Sequence, residues 1–584
     1  MTATIASTAR EADLIEYCRQ LFSQARNRKR GLYDNWSRNY KLVHNRGPNT
    51  GSASSPMPRD SEIFPVLSAI IAWMTDQHTS VNINPAVDPN TSYADAWTQV
   101  SQDLQDILQS IWINNAEDHQ IKLALWDAFT FGPGYFKTIW DQSLDAGEGN
   151  TKFIRVDPWC LYVDPTASNV YDAEYLIEVR KMTMNEVRRR WPRTATIVDA
   201  AGGMSDQIDE RPGLDTRSPR GPMANPGPLP SGNGNYGGAM NNPPSIPDNQ
   251  EVVVYEYWMR FNQSTTEQID NTEQEFVEAK WRCVVVANNQ VLMDEWADDL
   301  WSYGTHPYDQ FIPEDFGELY GIPITDHLAQ PQQYINRLLG ALQQNAELTG
   351  NPVFIEPDNS GLERTPIINR PGQRLKLRGP GAMQNAPQWM TPPPMPQVVM
   401  DMVQFWISRI ENITGLGAAI KGGVNGAPSR TPEGVISTIQ EASFVRIRSM
   451  LGNLEECLMS IAKKQADLII ENYNQKRIMA LVGPSGEKTA LALKANHFQV
   501  PSGNGKVPLK YSLIVQAGAS MPTSRTARVA ESDQAYALGI IDRQAWFEAH
   551  QYPNWPEILT RVNNQIGMGL FQPPGARQRA QRSQ

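Results

Sequence analysis

The sequence is poor in cysteine, and its four cysteines are widely separated. Each of Cys18, Cys160, Cys283 and Cys457 is more than a hundred residues from the next. The chain therefore has no CxxC pair, no zinc-knuckle spacing and no disulfide framework. This cysteine usage predicts reduced thiols in a cytosolic compartment.

Signatures of catalysis are also missing, which predicts a protein that is not an enzyme and has no cofactor or metal. None of the seven histidines has another at the i, i+4 spacing of a helical zinc site, and no GxSxG occurs. The segment GPSGEKT (483–489) is not a Walker loop, because two residues separate its glycines and Glu487 interrupts the Gly-Lys pair. The acidic run DEWADD (294–299) could hold a metal ion, but a solvated loop is the favoured interpretation.

Long apolar runs are absent as well. The longest uncharged one, Ile63–Met74, has twelve residues, fewer than the roughly 20 that span a bilayer. The opening MTATIASTAREADLIEYC shows no basic region followed by an apolar one. No secretory signal is therefore expected.

The charge balance is acidic. Fifty-two Lys and Arg against sixty-three Asp and Glu give a formal charge of −11, which excludes a basic nucleic-acid coat protein but allows contact through small cationic patches. One candidate is RNRKR (26–30), followed by Tyr33, Trp36 and Tyr40. Nucleic-acid binding is one interpretation. A solvated helix end, where cations suit the negative end of the helix dipole, is the favoured one.

The pattern of the first half predicts an α+β fold. Leu14, Cys18, Leu21 and Ala25 recur at 4-3-4 spacing and indicate one apolar helix face. Further helical patterns lie around 60–80 and 92–130. Strands are predicted within 131–142 and 152–165, a strand and a short helix within 174–192, and antiparallel strands at 251–261 and 280–295 with a turn at Asn288-Asn289.

Residues 201–250 interrupt this half. They hold nine Gly and nine Pro, and such a composition cannot bury enough apolar surface to offset the entropy of ordering. The segment is predicted to be a disordered or extended insertion. It is either a domain boundary or, as we favour, a long surface loop.

Two helices are predicted to flank a Pro/Gly-rich patch. The first covers 331–349, with Pro331 at its start and Gly350 just past its end. Short strands (PVFIEPD, RTPIINR and RLKLRGP) follow within 351–396. The second helix covers 397–414, and its predicted apolar face is Val399, Met402, Trp406, Ile410 and Ile413.

A glycine-rich loop then leads into a long helix. The loop, 415–431, has five Gly, two cations and no acid. Thr431 is a natural N-cap, Pro432 fits the first helical position, and the helix is predicted to run to about 474. Its apolar face is Ile447, Leu451, Leu454, Leu458 and Ile461. Strands at 497–501 and 506–517 and C-terminal helices around 523–568 are predicted after it.

The two flanking helices form a narrow hairpin that cannot bury both its faces alone. Identical neighbours would have to cover them, which indicates a ring or a bundle. The order of motifs along the chain points the same way. It runs from RGLYDNWSRNYKLV through LWDAFTFGPGYFKTIWD, IRVDPWCLYVDPTASNVYDAEYLIEVRKMTMNEV and FGELYGIPITDHLAQPQQYINRLLGALQQN to PSRTPEGVISTIQEASFVRIRSMLGNLEECL and YALGIIDRQAWFEAHQYPNWPEILTRV. In this order the chain resembles the portal, or head–tail connector, protein of tailed bacteriophages.

The resemblance implies a twelve-subunit ring around a DNA channel at the capsid vertex of the virion, assembled in the host cytoplasm. It implies an α/β wing, antiparallel stem helices, a small β-containing clip, a long strut helix and a helical C-terminal crown. The segments would be wing 1–320 with return strands 475–520, stem helices 321–349 and 397–414, clip 350–396, tunnel loop 415–431, long helix 432–474, and crown and basic tail 521–584. The 201–250 insertion has no assigned place in this pattern.

The implied partners are further copies of the chain, double-stranded DNA bound without sequence specificity, terminase, capsid and scaffolding proteins, and tail adaptors, with no membrane. An acidic channel repels DNA and lets a duplex slide, while a few loop cations touch phosphates transiently. Lys421, Arg430 and Asn425 are the candidate DNA contacts in the tunnel loop. Inter-subunit salt bridges are the alternative role for the two cations. The candidate clip surface, for partners or for neighbouring subunits, is Arg364, Arg370, Arg374, Lys376 and Arg378.

Two other functions stay open at this point. One is a DNA-processing packaging enzyme of the terminase type, against which the missing Walker loop counts. The other is a tail or minor capsid protein that binds only other proteins.

Overall fold

The computed structural model describes residues 2–45, 60–75, 79–194, 251–269, 272–301, 303–350, 353–355, 388–390, 396–415, 433–473, 475–482, 488–502, 505–516 and 525–550, and the single positions 558 and 561. The chain divides into two compact units. The first comprises Met1–Ser37, Leu67–Ile324 and Ser429–Gln584, and the second comprises Arg38–Val66 and Thr325–Pro428. Each unit is therefore assembled from segments that are distant in sequence.

Helices and strands are both abundant, as an α+β fold requires. The helices are α1 (Thr2–Arg30), α2 (Tyr33–Val43), α3 (Ile63–Met74), α4 (Ala94–Asn114), α5 (Glu117–Phe131), α6 (Met184–Arg190), α7 (Ala297–Leu300), α8 (Ile324–Gly350), α9 (Gln397–Thr414), α10 (Glu433–Asn472), α11 (Arg525–Ala537) and α12 (Arg543–His550). Within the described ranges, none of them combines the length and apolarity needed to cross a bilayer.

The strands form several small sheets and one sheet of five strands. They are β1 (Ser80–Pro85), β2 (Gly134–Asp141), β3 (Asn150–Val156), β4 (Leu161–Val163), β5 (Tyr175–Thr183), β6 (Glu251–Ile269), β7 (Thr272–Ala287), β8 (Gln290–Trp296), β9 (Tyr308–Phe311), β10 (Val353–Ile355), β11 (Gln388–Met390), β12 (Arg477–Val482), β13 (Lys488–Leu493), β14 (Gln499–Ser502), β15 (Gly505–Pro508) and β16 (Tyr511–Gln516). In the first unit, β4-β5-β6-β7-β8 form the five-stranded sheet and β3-β2-β9 form a three-stranded one. Four further strand pairs, β1-β16, β10-β11, β12-β13 and β14-β15, complete the set.

The five-stranded sheet packs against α1 in the way the helix pattern predicts. Cys18, Leu21 and Ala25 are buried in one apolar cluster with side chains of β5, β6 and β7, and Leu14 packs against its edge. The predicted turn at Asn288-Asn289 is confirmed, because both residues have positive φ (46° and 64°) between β7 and β8. Such angles are typical of a tight hairpin turn.

The basic run at the end of α1 is not wholly a solvated helix end, because one of its cations is buried. Lys29 is fully buried. Its Nζ donates hydrogen bonds to the carbonyl oxygens of Trp159 (2.9 Å) and Leu161 (2.7 Å) and lies 3.9 Å from the Tyr162 ring centroid. Trp36 is buried as well. This cation therefore fixes α1 to β4, while Arg30 beside it is exposed.

A Gly-Pro-Gly segment turns α5 directly into β2. Gly132 has φ +110°, and a Cβ placed on it would lie 2.1 Å from the carbonyl oxygen of Tyr320. A Cβ on Gly134 would lie 2.6 Å from the carbonyl oxygen of Ala124. Glycine is required at both positions because the backbones approach more closely than any side chain allows.

The long helix of the first unit is the element that the sequence predicts best. α10 runs from Glu433 to Asn472, against the predicted span of 432 to about 474. All five residues of its predicted apolar face are buried: Ile447, Leu451, Leu454, Leu458 and Ile461. At 1.5 Å per residue, its forty residues span about 60 Å.

In the second unit, the predicted start of the first flanking helix is wrong. α8 begins at Ile324, and Pro331 lies inside it rather than at its first position. An interior proline removes one backbone hydrogen bond and costs about 3 kcal/mol. The two added turns bury Leu328 and Ala329, which offsets part of that cost.

Polar contacts also stabilise the start of α8. Asp326, in its first turn, accepts hydrogen bonds from Arg38 Nη2 (2.7 Å) and Asn39 Nδ2 (2.7 Å) of α2. A carboxylate near a helix N-terminus is favoured by the helix dipole. Gln332 donates to the carbonyl oxygen of Asp60 (2.6 Å), and its Oε1 accepts from the backbone of Glu62 (2.9 Å).

The second flanking helix has the predicted bounds, 397–414, but a rotated buried side. Ile410 is buried as predicted, whereas Met402 is 43% exposed and Val403 is buried in its place. The stack of Trp406 on Tyr334, with ring centroids 4.9 Å apart, joins α9 to α8. Beyond α8, β10 pairs antiparallel with β11. The strand in PVFIEPD is thus confirmed, and β11 was not predicted.

Several predictions lie outside the described residues. They are the 201–250 insertion, the strands in RTPIINR and RLKLRGP, the cap at Thr431 and Pro432, and most of the C-terminal segment beyond His550. The segment predicted as helical at 60–80 forms α3 but ends in strand β1. That strand was not predicted.

Candidate functional site

The site residues predicted from the sequence cannot be placed. Lys421, Asn425 and Arg430 of the glycine-rich loop lie outside the described residues, and so do the clip cations Arg364, Arg370, Arg374, Lys376 and Arg378. The features that the structure does place are two buried charged clusters, a buried carboxyl group and an exposed apolar helix face.

The first cluster, here called the sheet junction, consists of Lys137, Glu178, Arg180, Glu256 and Tyr308. Lys137 Nζ on β2 donates to Glu178 Oε2 (2.9 Å) on β5 and to both carboxylate oxygens of Glu256 (2.6 Å) on β6. Arg180 pairs with Glu178, and the Tyr308 hydroxyl on β9 donates to Glu178 (2.7 Å). These contacts connect the three-stranded sheet to the five-stranded one.

Opposite charges balance within the sheet junction. Burial alone would raise the pKa of Glu178, but the charges of Lys137 and Arg180 hold that pKa at about 2. Two cations therefore face two carboxylates, and a buried carboxylate of this kind stays ionised because its partners stay beside it. A carboxylate saturated in this way, with no access to solvent, is suited to holding sheets together rather than to proton transfer.

The second cluster, the helix anchor, fixes α10 to β9. Lys464 Nζ donates to Asp309 Oδ1 (2.9 Å) and to the carbonyl oxygen of Tyr308 (3.0 Å). Ser460, one turn earlier on α10, donates to the same Asp309 oxygen (2.6 Å). Asp309 is fully buried. Because Tyr308 and Asp309 are successive strand residues, their side chains lie on opposite faces, so β9 links the helix anchor to the sheet junction.

A buried carboxyl group lies where α4, α5 and α10 meet. Glu117, the first residue of α5, accepts hydrogen bonds from the backbone N–H of Phe153 (3.2 Å) and from Gln465 Nε2 (3.2 Å). Gln465 Oε1 accepts from Trp112 Nε1 (2.6 Å). Burial raises the pKa of this carboxyl to about 8.

Several described groups that could carry chemistry are ion-paired or buried. Burial raises the pKa of Cys18 and of Cys160 to about 12, which leaves little thiolate at neutral pH. In the acidic run 294–299, Asp294 pairs with Arg282 (2.6 Å) and Asp298 with Lys280 (3.0 Å). Among the described residues, no group of three or more His, Cys, Asp or Glu is arranged to hold a metal ion.

In the second unit, α9 has an exposed apolar face in addition to its buried one. Val398, Met402 and Phe405, here called the α9 stripe, are spaced 4-3 and are 63%, 43% and 60% exposed. The buried side of α9 is formed by Val403, Ile410 and Thr414. Since successive helix residues are about 100° apart, the stripe lies roughly 130° around the helix axis from that side. Exposed apolar side chains grouped on one face are typical of a surface that another molecule covers.

The sequence analysis missed the sheet junction and the helix anchor. Two of their charged residues stand alone in otherwise apolar or aromatic stretches, Lys137 in GYFKTIW and Glu256 in VVVYEYW. A lone charge at a buried strand position was the available signal, since such a charge needs a partner. Which residues would be the partners depends on the sheet topology.

The comparison with protein families agrees with the sequence resemblance. A model of the phage P22-like portal protein family matches residues 52–584. None of the curated proteins compared with the chain matches it. This family is structural rather than enzymatic, assembles into oligomeric rings with capsid partners and is part of the virion. Since the match spans nearly the whole chain, the resemblance is confirmed, and the chain belongs to the P22-like phage portal protein family.

Proposed function

We propose that twelve copies of this chain form a ring-shaped channel at the capsid vertex. The viral genome is packaged and later ejected through this channel, and the ring is the docking platform first for terminase and then for tail adaptors. The family supports the portal role. The copy number, the DNA path and the two docking partners are the proposal.

The observation that carries the proposal is the α9 stripe. A helix with one apolar side buried in its own unit and another exposed to solvent is incomplete as a monomer. In a ring, the stripe of each subunit is covered by its neighbour. The segments 321–349 and 397–414 then form the stem, 350–396 the clip, and residues 1–320 with 475–520 the wing, followed by a crown at 521–584.

Ring assembly should therefore depend on Phe405. Phe405→Asp places a charge in the covered stripe, and we expect assembly to require at least about tenfold more protein, because a buried unpaired charge is unfavourable. Folding should be unaffected, since Phe405 is 60% exposed. Mass photometry and negative-stain microscopy measure the result, and wild-type rings should show a central opening wide enough for duplex DNA.

The matched control is Phe316→Asp, because Phe316 is 63% exposed in the first unit. Its rings should be normal. Equal assembly of both variants would contradict the role of the α9 stripe. A wild-type protein that stays monomeric, or forms rings without an opening, would contradict the channel itself, and Mg²⁺-dependent ATPase or nuclease activity of the purified protein would favour a packaging enzyme.

Within the ring, we assign 415–431 as the tunnel loop. Its Lys421 and Arg430 touch DNA phosphates transiently, with Asn425 as an uncharged contact. The clip cations Arg364, Arg370, Arg374, Lys376 and Arg378 present a positive surface to docking partners or to the neighbouring clip.

The tunnel-loop assignment has a direct test. In Lys421→Ala/Arg430→Ala we expect rings to assemble normally and packaged DNA per particle to fall several-fold, because two phosphate contacts per subunit are lost. Packaging into proheads built with variant rings measures this, with Val424→Ala as the control in the same loop because it keeps both cations and Asn425. If fewer rings assemble but the rings that do form package DNA normally, the two cations instead form inter-subunit salt bridges.

A further inference from the structure

The α9 stripe is flanked by charges of opposite sign. Phe405, at its C-terminal end, is 60% exposed. Asp401 lies four residues before it and Arg409 four residues after it, and both are exposed. Helix residues four apart lie on nearly the same side, about 6 Å apart along the axis. This side of α9 therefore presents a negative charge, a large aromatic ring and a positive charge in chain order.

The exposed side of α10 has the complementary order. Arg448 lies four residues before Gly452 and Glu456 four residues after it, and both are exposed. In chain order this side presents a positive charge, a residue without a side chain and a negative charge, at the same spacing as on α9. These three residues are here called the α10 notch. Met459, seven residues beyond Gly452 and 38% exposed, adds an apolar group to the same side.

Gly452 itself is unfavourable at its position. It lies inside a forty-residue helix, where glycine is less stable than alanine. Apart from its own helical turns, no described atom lies within 4 Å of a Cβ built on it. Packing within the described part of the chain therefore does not require a glycine here. The missing side chain leaves a gap on the helix surface, and such a gap accommodates a large side chain from another helix.

The charges on both helices are available to another molecule. In the described part of the chain, no ion pair is formed by any of the four residues Asp401, Arg409, Arg448 and Glu456. Exposed charges on a subunit surface do not need a partner for folding, because water solvates them. What distinguishes these four is that their signs and spacings match between two helices.

The match specifies one relative orientation. With the aromatic ring of α9 over the gap in α10 and the two helices parallel, Asp401 faces Arg448 and Arg409 faces Glu456. With the helices antiparallel, each charge would instead face one of its own sign. Complementary charges around an apolar contact give an interface its specificity and its register.

A ring requires two surfaces of this kind, because its interfaces are head-to-tail and each subunit presents two different faces that fit each other. We propose that the Phe405 ring of one subunit packs into the α10 notch of the next subunit, between two ion pairs that join Asp401 to Arg448 and Arg409 to Glu456. The inference rests on the proposed ring, and it names the surface that covers the α9 stripe.

An exchange of side-chain sizes tests the apolar contact. Phe405→Ala leaves the gap empty and Gly452→Leu fills it, so we expect each variant to need at least about tenfold more protein to assemble. The double variant puts leucine against alanine and should recover most of the wild-type assembly. Dilute Gly452→Leu should unfold at no lower urea concentration than the wild type, because leucine is the better helix former and the Cβ has open space.

An exchange of charges tests the flanking pairs. Asp401→Lys and Arg448→Asp each place like charges together, so each should need several-fold more protein to assemble, and the combination should assemble like the wild type. The matched control combines Arg448→Asp with Asp13→Lys, which changes an exposed acid of α1 and gives the same net charge. This control should remain as defective as Arg448→Asp alone. Mass photometry over a concentration series measures all of these proteins.

The outcomes separate this contact from the ring itself. Recovery in both exchanges, with unfolding of the dilute proteins unaffected, establishes the contact between subunits. Normal assembly of the single variants, or double variants as defective as the single ones, overturns the contact and leaves the ring in place. Recovery of lost stability in the dilute double variants would place the contact within one subunit and also overturn the proposal. A wild-type protein that forms no ring overturns both.

Discussion

Replacing Lys464 with methionine should lower the free energy of unfolding by about 3–5 kcal/mol, as removal of one partner of a buried ion pair does. The variant leaves Asp309 fully buried with its charge uncompensated. Ser460 and Tyr171 still donate hydrogen bonds to that carboxylate, but two hydroxyls do not replace a cation. Urea unfolding followed by tryptophan fluorescence, at a protein concentration too low for assembly, measures the change.

The adjacent residue is the control. Lys463 is exposed on the same helix, and Lys463→Met should change the unfolding free energy by no more than about 0.5 kcal/mol. Combining Lys464→Met with Asp309→Asn removes both charges, and should recover a large part of the loss. Equal effects of the two lysine substitutions would show that the helix anchor contributes little to holding α10 on β9.

The second large effect concerns Glu117 and is a dependence on pH. The pKa of this carboxyl is about 8 in the folded protein against an ordinary 4.5. Between these values the folded state keeps the proton and the unfolded state has lost it. The contribution of Glu117 to the free energy of unfolding is therefore fully present below pH 4.5. It is lost as the pH rises from there to about 8, at up to about 1.4 kcal/mol per pH unit.

Glu117→Gln removes this dependence. An amide can still accept through Oε1 from Phe153 and Gln465, so the variant should match the wild type near pH 5. At pH 8.5 it should be more stable by a few kcal/mol. Unfolding curves from pH 5 to 9 give the difference, with exposed Glu11→Gln as the control for a Glu-to-Gln change. If the unfolding free energies of the wild type and Glu117→Gln depend on pH in the same way, Glu117 stays ionised in the folded protein.

Sequence spacing was sufficient to predict the buried residues and the bounds of single helices and hairpins. The five apolar residues from Ile447 to Ile461 on α10 were predicted from spacing and are all buried, because a helical period appears within a few turns of sequence. The bounds of α9 and the turn at Asn288-Asn289 were predicted for the same reason. Each depends on residues no more than a helix or a hairpin apart.

Predictions failed where a distant segment decides the outcome. Lys29 is buried because carbonyl groups of Trp159 and Leu161 accept its hydrogen bonds, and those residues lie about 130 positions away in the sequence. Pro331 lies inside α8 because residues before it pack and bond within the second unit. A proline has a clear local preference, but burial of the added turns outweighs it.

The candidate site divides in the same way. The order of motifs identified the portal family, and the family match confirms it. The sheet junction was not predicted, because its members come from four strands whose neighbours depend on topology rather than on local sequence. The tunnel-loop and clip residues remain predictions.

The pairing of β1 with β16 has a consequence for biosynthesis. The two strands are about 430 residues apart in the chain, and a ribosome adding about 5–20 residues per second takes on the order of 20–90 s to make the second after the first. Throughout that interval the nascent polypeptide contains the residues of β1 but not yet those of its partner strand β16. We therefore expect chaperone protection of the emerging chain to matter until β16 has been made, and we expect a premature stop codon before Tyr511 to leave β1 without its partner strand and open to aggregation.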